Sequence, residues 1–145
     1  MVSHWLKEIT AIADVEGVLL ASNTGEIIEN SAIYLDRSQL KQIASRVLKI
    51  MAAHDLDKRS VREVELIWED YRILAMGAKS FVLIIFCTST KTISLLRITM
   101  NVVIAHLLED KKSIKQIKKY ASEKRNVLES RDLEQLEINF ISKLQ

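Results

Sequence analysis

The stretch VREVELIWEDYRILAMGAKSFVLIIFC, residues 61–87, predicts three consecutive β-strands. In residues 61–69 apolar and acidic side chains alternate, which is the period of a strand with one buried face. Residues 71–77 form the next strand, and residues 81–87 are apolar throughout. A strand that is apolar on both sides needs cover on both, so we expect it in the middle of the sheet. The predicted scaffold is therefore an antiparallel meander.

A short helix and a β-hairpin are predicted at the start of the chain. Residues 3–12 carry apolar side chains at helical spacing. Two short apolar runs follow, residues 15–22 and 26–32, and the residues between them have the chemistry of a tight turn. Gly25 supplies the positive φ that such a turn needs.

The clearest helix of the sequence spans residues 36–54. Asp36 and Gln39 have the spacing of a capping box. The helix then repeats apolar residues at three- and four-residue intervals, and Ile50 and Ala53 make this stripe broader than contact with one sheet needs. The extra width fits either a wide core contact or a second covering surface.

Another helix is predicted over residues 93–110, after the meander. Ile98 and Val102 add apolar surface beside its main stripe, so we expect this helix to be well covered. The resulting order is α-ββ-α-βββ-α. It predicts an α+β sandwich with a central five-stranded antiparallel sheet.

The composition shifts after Asp110, which predicts a domain over residues 1–110 and a C-terminal segment over residues 111–145. The segment starts with a basic helical run. It ends in an amphipathic helix with apolar residues at Leu133, Leu136, Phe140 and Leu144. A helix of that size is unstable alone in water, so it should dock on its own domain, on a partner or second subunit, or on a membrane.

The basic run contains seven Lys or Arg residues between Lys111 and Arg125. It fits a solvated helix face or a contact with an anionic surface. Nucleic acid is not expected, because only Tyr120 interleaves the run and base stacking needs more aromatic residues. The residues predicted for an anionic-surface contact are Lys111, Lys112, Lys115, Lys118 and Lys119.

The sequence offers little for catalysis, and we expect no enzyme, catalytic residue, metal site or cofactor. Its three glycines are isolated, and the three histidines fall on three separate predicted helices. The single Cys87 lies in the most apolar strand, where a thiol is inert. With 48% hydrophobic residues and no predicted membrane span or secretory signal, the chain suits a cytoplasmic protein with one ordinary core.

Residues 9–110 resemble the Roadblock family of dynein light-chain-like domains, which includes MglB-like and Ragulator-type members and is related to the longin fold. The resemblance lies in the order of elements and in a hairpin pattern V-x-G-V-L-L-x-S-x-x-G-x-I. Here the pattern is carried by Val15, Gly17, Val18, Leu19, Leu20, Ser22, Gly25 and Ile27. The last helix, with Leu95, Leu96 and Arg97 near its start, also matches in position and length.

The resemblance implies a homodimer, or a heterodimer with a related domain, that binds a small Ras-like GTPase. In such domains the long middle helices of two subunits pack antiparallel, and the first meander strand pairs with its counterpart. That pairing would also cover an edge strand that exposes Ile67. The interface carried over by position comprises Leu40, Ile43, Val47, Ile50, Met51, Val64, Glu65, Leu66, Ile67 and Trp68.

Three functions follow for this sequence. The preferred one is a non-catalytic dimeric scaffold or regulator of a small Ras-like GTPase. The first alternative is a longin-like module that binds membrane surfaces or trafficking partners through the basic segment. The second alternative is a sensory domain for a small ligand, which needs a polar-lined cavity that the predicted core does not offer.

Overall fold

The computed structural model describes residues 2–31, 34–56, 63–68, 70–89 and 91–127. Along these residues the elements follow the predicted order. They are α1 (Val2–Thr10), β1 (Val15–Ser22), β2 (Ile27–Ser31), α2 (Arg37–Leu56), β3 (Glu63–Trp68), β4 (Tyr71–Gly77), β5 (Phe81–Cys87), α3 (Ile93–Glu109) and α4 (Lys111–Val127). The predicted α+β class is confirmed.

The five strands form one antiparallel sheet in the order β2-β1-β5-β4-β3. The apolar strand β5 lies in the middle, as its sequence predicts, and all seven of its residues are buried. Its side chains alternate between two cores. Val82, Ile84 and Phe86 pack on the side of α2, whereas Leu83 and Ile85 pack on the side of α1, α3 and α4.

The two faces of the sheet are covered by different numbers of helices. Among the described helices, α2 alone covers one face of the sheet, and α1, α3 and the first part of α4 cover the other. On the second face α1 is tied to α3 by an aromatic contact, because the Trp5 ring stacks on His106 at 4.3 Å between centroids. Each large apolar side chain buried in these layers contributes about 1.5–3 kcal/mol of transfer free energy.

Two residues with positive φ shape the turns on either side of β1. Gly25 has φ +91°, as the hairpin pattern predicts. Asp14 has φ 70°, which the sequence analysis did not anticipate, and its carbonyl accepts a hydrogen bond from the Thr88 amide at 3.0 Å. Aspartate is among the few residues besides glycine that adopt this conformation readily.

The predicted capping box at the start of α2 is confirmed. The Gln39 amide donates to Asp36 Oδ1 at 2.8 Å, and the Asp36 amide donates to Gln39 Oε1 at 3.2 Å. Two amides that the helix itself leaves without partners are thus satisfied, which fixes where α2 begins.

Candidate protein interaction surfaces

Strand β3 forms one edge of the sheet. It pairs with β4 from Glu63 opposite Met76 to Trp68 opposite Tyr71. Among the described residues no strand pairs with its other side. The backbone N–H and C=O groups along that side are therefore available to a strand of another chain.

The exposed face of β3 combines one apolar side chain with two ion pairs. Ile67 is 76% exposed, although it belongs to a residue type usually buried. On the same face Glu63 pairs with Arg97 of α3, and Glu65 lies 3.8 Å from Arg72 of β4. Such exposed pairs contribute little to stability, about 0–1 kcal/mol each. Ile67 is thus the apolar centre of a charged strand edge.

The predicted interface residues of α2 lie mostly inside the protomer. Leu40, Ile43 and Val47 are at most 1% exposed, because the five-stranded sheet is wide enough to use their whole stripe. Met51 is 8% exposed and packs over Gly77, and Ile50 is half-buried. Of these five residues, Ile50 offers the most surface to a partner. The interface itself stays a prediction.

The predicted interface residues of β3 divide between the two faces of the sheet. Val64 is buried against the α2 side, and Leu66 packs against the same core while half-buried. Glu65 and Ile67 are exposed on the opposite face. The Trp68 side chain lies outside the described part of the structure. A partner at this edge would therefore meet the β3 backbone, Ile67 and part of Leu66.

The outward side of α2 is a basic surface that the sequence analysis did not identify. A shallow groove runs along this side, lined by Arg37, Ser38, Lys41, Gln42, Ser45, Arg46 and Lys49. Residues 37–54 contain four cationic side chains and no acid, so the signal was present in the sequence. It was missed because only the apolar stripe of this helix was followed. Lys41 lies 4.0 Å from Glu26, outside the helix.

Helix α3 exposes an apolar stripe, contrary to the expectation that it is well covered. Leu95 is 52% exposed, Ile98 63% and Val102 44%. The opposite side of the helix fills the core with Leu96, Met100, Val103 and Leu107. We call Leu95, Ile98 and Val102 the α3 stripe.

Helix α4 presents its basic residues on one side. Lys111, Lys112, Lys115, Lys118 and Lys119 are all exposed, whereas Ser113 and Ile117 are buried against the core. At 100° per residue these lysines occupy one sector of the helix, opposite Ile117. The division predicted at residue 110 stays a prediction, and the first turns of α4 share the core with α3.

Asp110 joins α3 to α4 and caps the second helix. Its Oδ2 accepts a 2.7 Å hydrogen bond from Ser113 Oγ, and its Oδ1 accepts one from the Lys112 amide at 3.2 Å. The Ser113 hydrogen bond is the largest cause that lowers the pKa of Asp110 to about 2. A negative charge here also suits the positive end of the α4 dipole.

The residues that could carry chemistry are dispersed. Within the described ranges no three His, Cys, Asp or Glu side chains come together in a way that could hold a metal ion. His4 and His106 both contact the Trp5 ring. Cys87 donates to the Arg72 carbonyl at 3.3 Å, and burial raises the pKa of its thiol, which disfavours the reactive thiolate.

Solved structures share this arrangement of elements. The Roadblock/LC7 domain from Streptomyces avermitilis matches with a TM-score of 0.63 at 11% identity, over 73% of this chain and 93% of that one. Myxococcus xanthus MglB matches with a TM-score of 0.61 at 14% identity, over 83% and 88%. An MglB structure with a tetrameric arrangement matches with a TM-score of 0.61 at 12% identity, over 81% and 88%. The chain has the Roadblock fold.

The likeness to Roadblock structures is one of fold, because the identities are low. No protein-family model matches the chain, and no curated protein is similar to it in sequence. In the Roadblock fold of this chain, the surfaces described above lie on different elements: the edge strand β3, the outward side of α2, the α3 stripe and the lysines of α4. None of the helices described is both long and apolar enough to cross a membrane.

The Asp110 cap gives a pH-dependent prediction. A carboxyl whose pKa is lower in the folded than in the unfolded state stabilises the fold above about pH 4, and this contribution is lost as the pH falls toward 2. Ser113→Ala removes the main donor, so the Asp110 pKa should rise toward 3.8, as measured by NMR titration of the carboxyl carbon. Ser94→Ala, at an exposed site on α3, should leave it unchanged. An unchanged Asp110 pKa in Ser113→Ala would contradict this account.

Proposed function

We propose that the chain is a non-catalytic scaffold or regulator of a small Ras-like GTPase and that it acts as a dimer. The observation that carries the proposal is the open edge of β3, with Ile67 76% exposed, in a fold shared with MglB. An edge strand of this kind is a ready template for pairing with another chain. The MglB structure with a tetrameric arrangement shows that a protein of this fold self-associates.

In the proposed dimer, β3 pairs antiparallel with β3 of a second copy. A two-fold axis perpendicular to the sheet relates the strands, so each face of one sheet continues into the same face of the other. A register centred on Leu66 places Ile67 of each strand opposite Glu65 of its partner. That register covers Ile67 with the aliphatic part of Glu65 and keeps the two Glu65 carboxylates apart.

The same symmetry brings the two α2 helices to one face of the shared sheet. Each keeps Leu40, Ile43 and Val47 in its own core, so the helices would meet through the flank that carries Ile50, and their basic outward sides would lie close to each other. Like charges in water repel by about 1 kcal/mol per pair at 4 Å, and salt screens them. The homodimer should therefore tighten as the salt concentration rises. A related partner with acidic residues at these positions would remove the repulsion altogether.

The GTPase partner is supported by the resemblance in sequence pattern and by the Roadblock fold. Fold alone does not specify a partner, since one fold hosts several functions. The described surfaces are compatible with a scaffold, because extended edges, helix faces and stripes are suited to protein contacts rather than to the enclosure of a small ligand.

The dimer predicts a change in solution mass on substitution of Ile67. Light scattering of the full chain in raised salt should give twice the 16.6 kDa of one chain. Ile67→Glu should reduce it to one chain, because the apolar centre of the edge is lost and each new carboxylate stands directly opposite Glu65 of the partner strand, where like charges are destabilising. Asn101→Glu, which adds the same charge at an exposed site on α3, should remain a dimer. A single-chain mass for the wild type at every salt concentration would contradict the homodimer.

A second candidate function has its own supporting observation. Five exposed lysines lie on one side of α4, opposite the buried Ile117. Anionic lipid attracts such a cluster by about 1 kcal/mol per cation near the surface. This arrangement favours the membrane-binding alternative in which the basic segment is the anchor.

One pair of binding assays separates the two functions. The first assay screens purified small Ras-like GTPases of the same genome, loaded with GDP or with a GTP analogue, for binding to the wild-type dimer. If the chain serves a GTPase, at least one of them should bind, with an affinity that depends on the nucleotide. A chain with alanine at the five α4 lysines should still dimerise. If no GTPase binds, and vesicles containing phosphatidylserine bind the wild type but not this variant, the membrane function replaces the scaffold.

A further inference from the structure

The α3 stripe is a contiguous apolar surface rather than a scatter of single residues. Leu95, Ile98 and Val102 are spaced by three and four residues, and the exposed Ala105 continues the line. This spacing aligns them along one side of the helix over about 15 Å. Single exposed apolar residues are ordinary, whereas an aligned set of this kind marks a contact surface.

Residues 128–145 supply a sequence pattern of matching length. They lie outside the described ranges of the structure. Leu133, Leu136, Phe140 and Leu144 are spaced by three, four and four residues. As a helix, this pattern would present an apolar side about 16 Å long.

The charges of the two segments are complementary. Lys91 and the positive end of the α3 dipole stand at the start of α3, and residues 91–105 contain no acid. Arg97 in this range is already paired with Glu63 of β3. Residues 128–137 contain Glu129, Asp132, Glu134 and Glu137 against one cation, Arg131. The acidic half of the segment therefore suits the first half of α3.

The chain connectivity places the segment within reach of the stripe. Helix α4 begins one residue after α3 ends and packs Ile117 into the core that α3 also lines. Val127 is at most about 24 Å from Lys111 along the helix axis, because α4 rises about 1.5 Å per residue. Residues 128–132 alone can extend about 17 Å, and the following helix adds about the same again. The segment can thus return to any part of α3.

We infer that residues 128–145 dock as an amphipathic helix along the α3 stripe of their own chain. A tethered segment has an effective concentration near the millimolar range, well above that of a second copy in a dilute solution. Its own α3 is therefore the favoured site. A protein that binds α3 must first displace this segment. The inference does not depend on the proposed GTPase function.

Disulfide cross-linking of the full chain tests this docking. Val102→Cys is combined in turn with Leu133→Cys, Leu136→Cys and Phe140→Cys, so that an error of one helical turn in register does not hide the contact. Mild oxidation should form an intrachain disulfide in at least one pair, since Cα atoms must come within about 7 Å. Cys87 is buried and does not compete.

In the matched control, Gln42→Cys replaces Val102→Cys, and the second cysteine of each pair stays the same. Gln42 is exposed on α2, on the other face of the sheet. The α3 pairs should cross-link faster than the Gln42 pairs, because a docked segment holds its cysteines within disulfide distance of Val102 and away from the other face of the sheet. Equal rates for both sets, or no cross-link in any α3 pair, would overturn the inference. A disulfide between Val102→Cys of one chain and a cysteine at position 133, 136 or 140 of another chain would also overturn it, because a second copy would then cover the stripe.

Discussion

Strand β5 has no polar face, and the rest of the structure follows from that constraint. Its seven residues are buried, so it needs a strand on each side and a helical layer on each face. Strands β1 and β4 supply the flanks. Ile84 and Phe86 require the cover that α2 gives, while Leu83 and Ile85 require the layer formed by α1, α3 and α4. Covering the middle of the sheet in this way leaves the distant strand β3 as an open edge.

The surfaces left outside these two cores differ in chemistry, which is why we attribute function to them rather than to a pocket. The edge of β3 offers backbone groups and Ile67. The outward side of α2 is basic, the α3 stripe is apolar, and α4 carries its lysines on one side. The two proposed functions also depend on different interactions. The dimer depends on backbone hydrogen bonds along β3, whereas membrane binding depends on the charge of the α4 lysines.

Local patterns predicted the fold well because the deciding signals are local. The apolar run of β5, the turn at Gly25 and the capping box at Asp36 each act within a few residues. The surfaces were harder to predict, because exposure depends on how elements meet. The stripe of Ile43 and Val47 could not be assigned to core or interface until the width of the sheet was known, and Ile98 was expected to be covered although it is exposed. The basic side of α2 is formed by the residues that stand between the apolar positions of the helix, and the apolar pattern alone does not predict it.

The proposed dimer depends on pairing between the open side of β3 and a strand of another chain. Amide hydrogen exchange at residues 63–68, measured by NMR on the full chain in raised salt, tests this pairing. Alternate N–H groups of an edge strand point away from its one partner, β4, and are protected only if another strand accepts their hydrogen bonds. In the proposed dimer these amides should exchange slowly in concentrated protein and faster on dilution. Fast exchange at every concentration would contradict it.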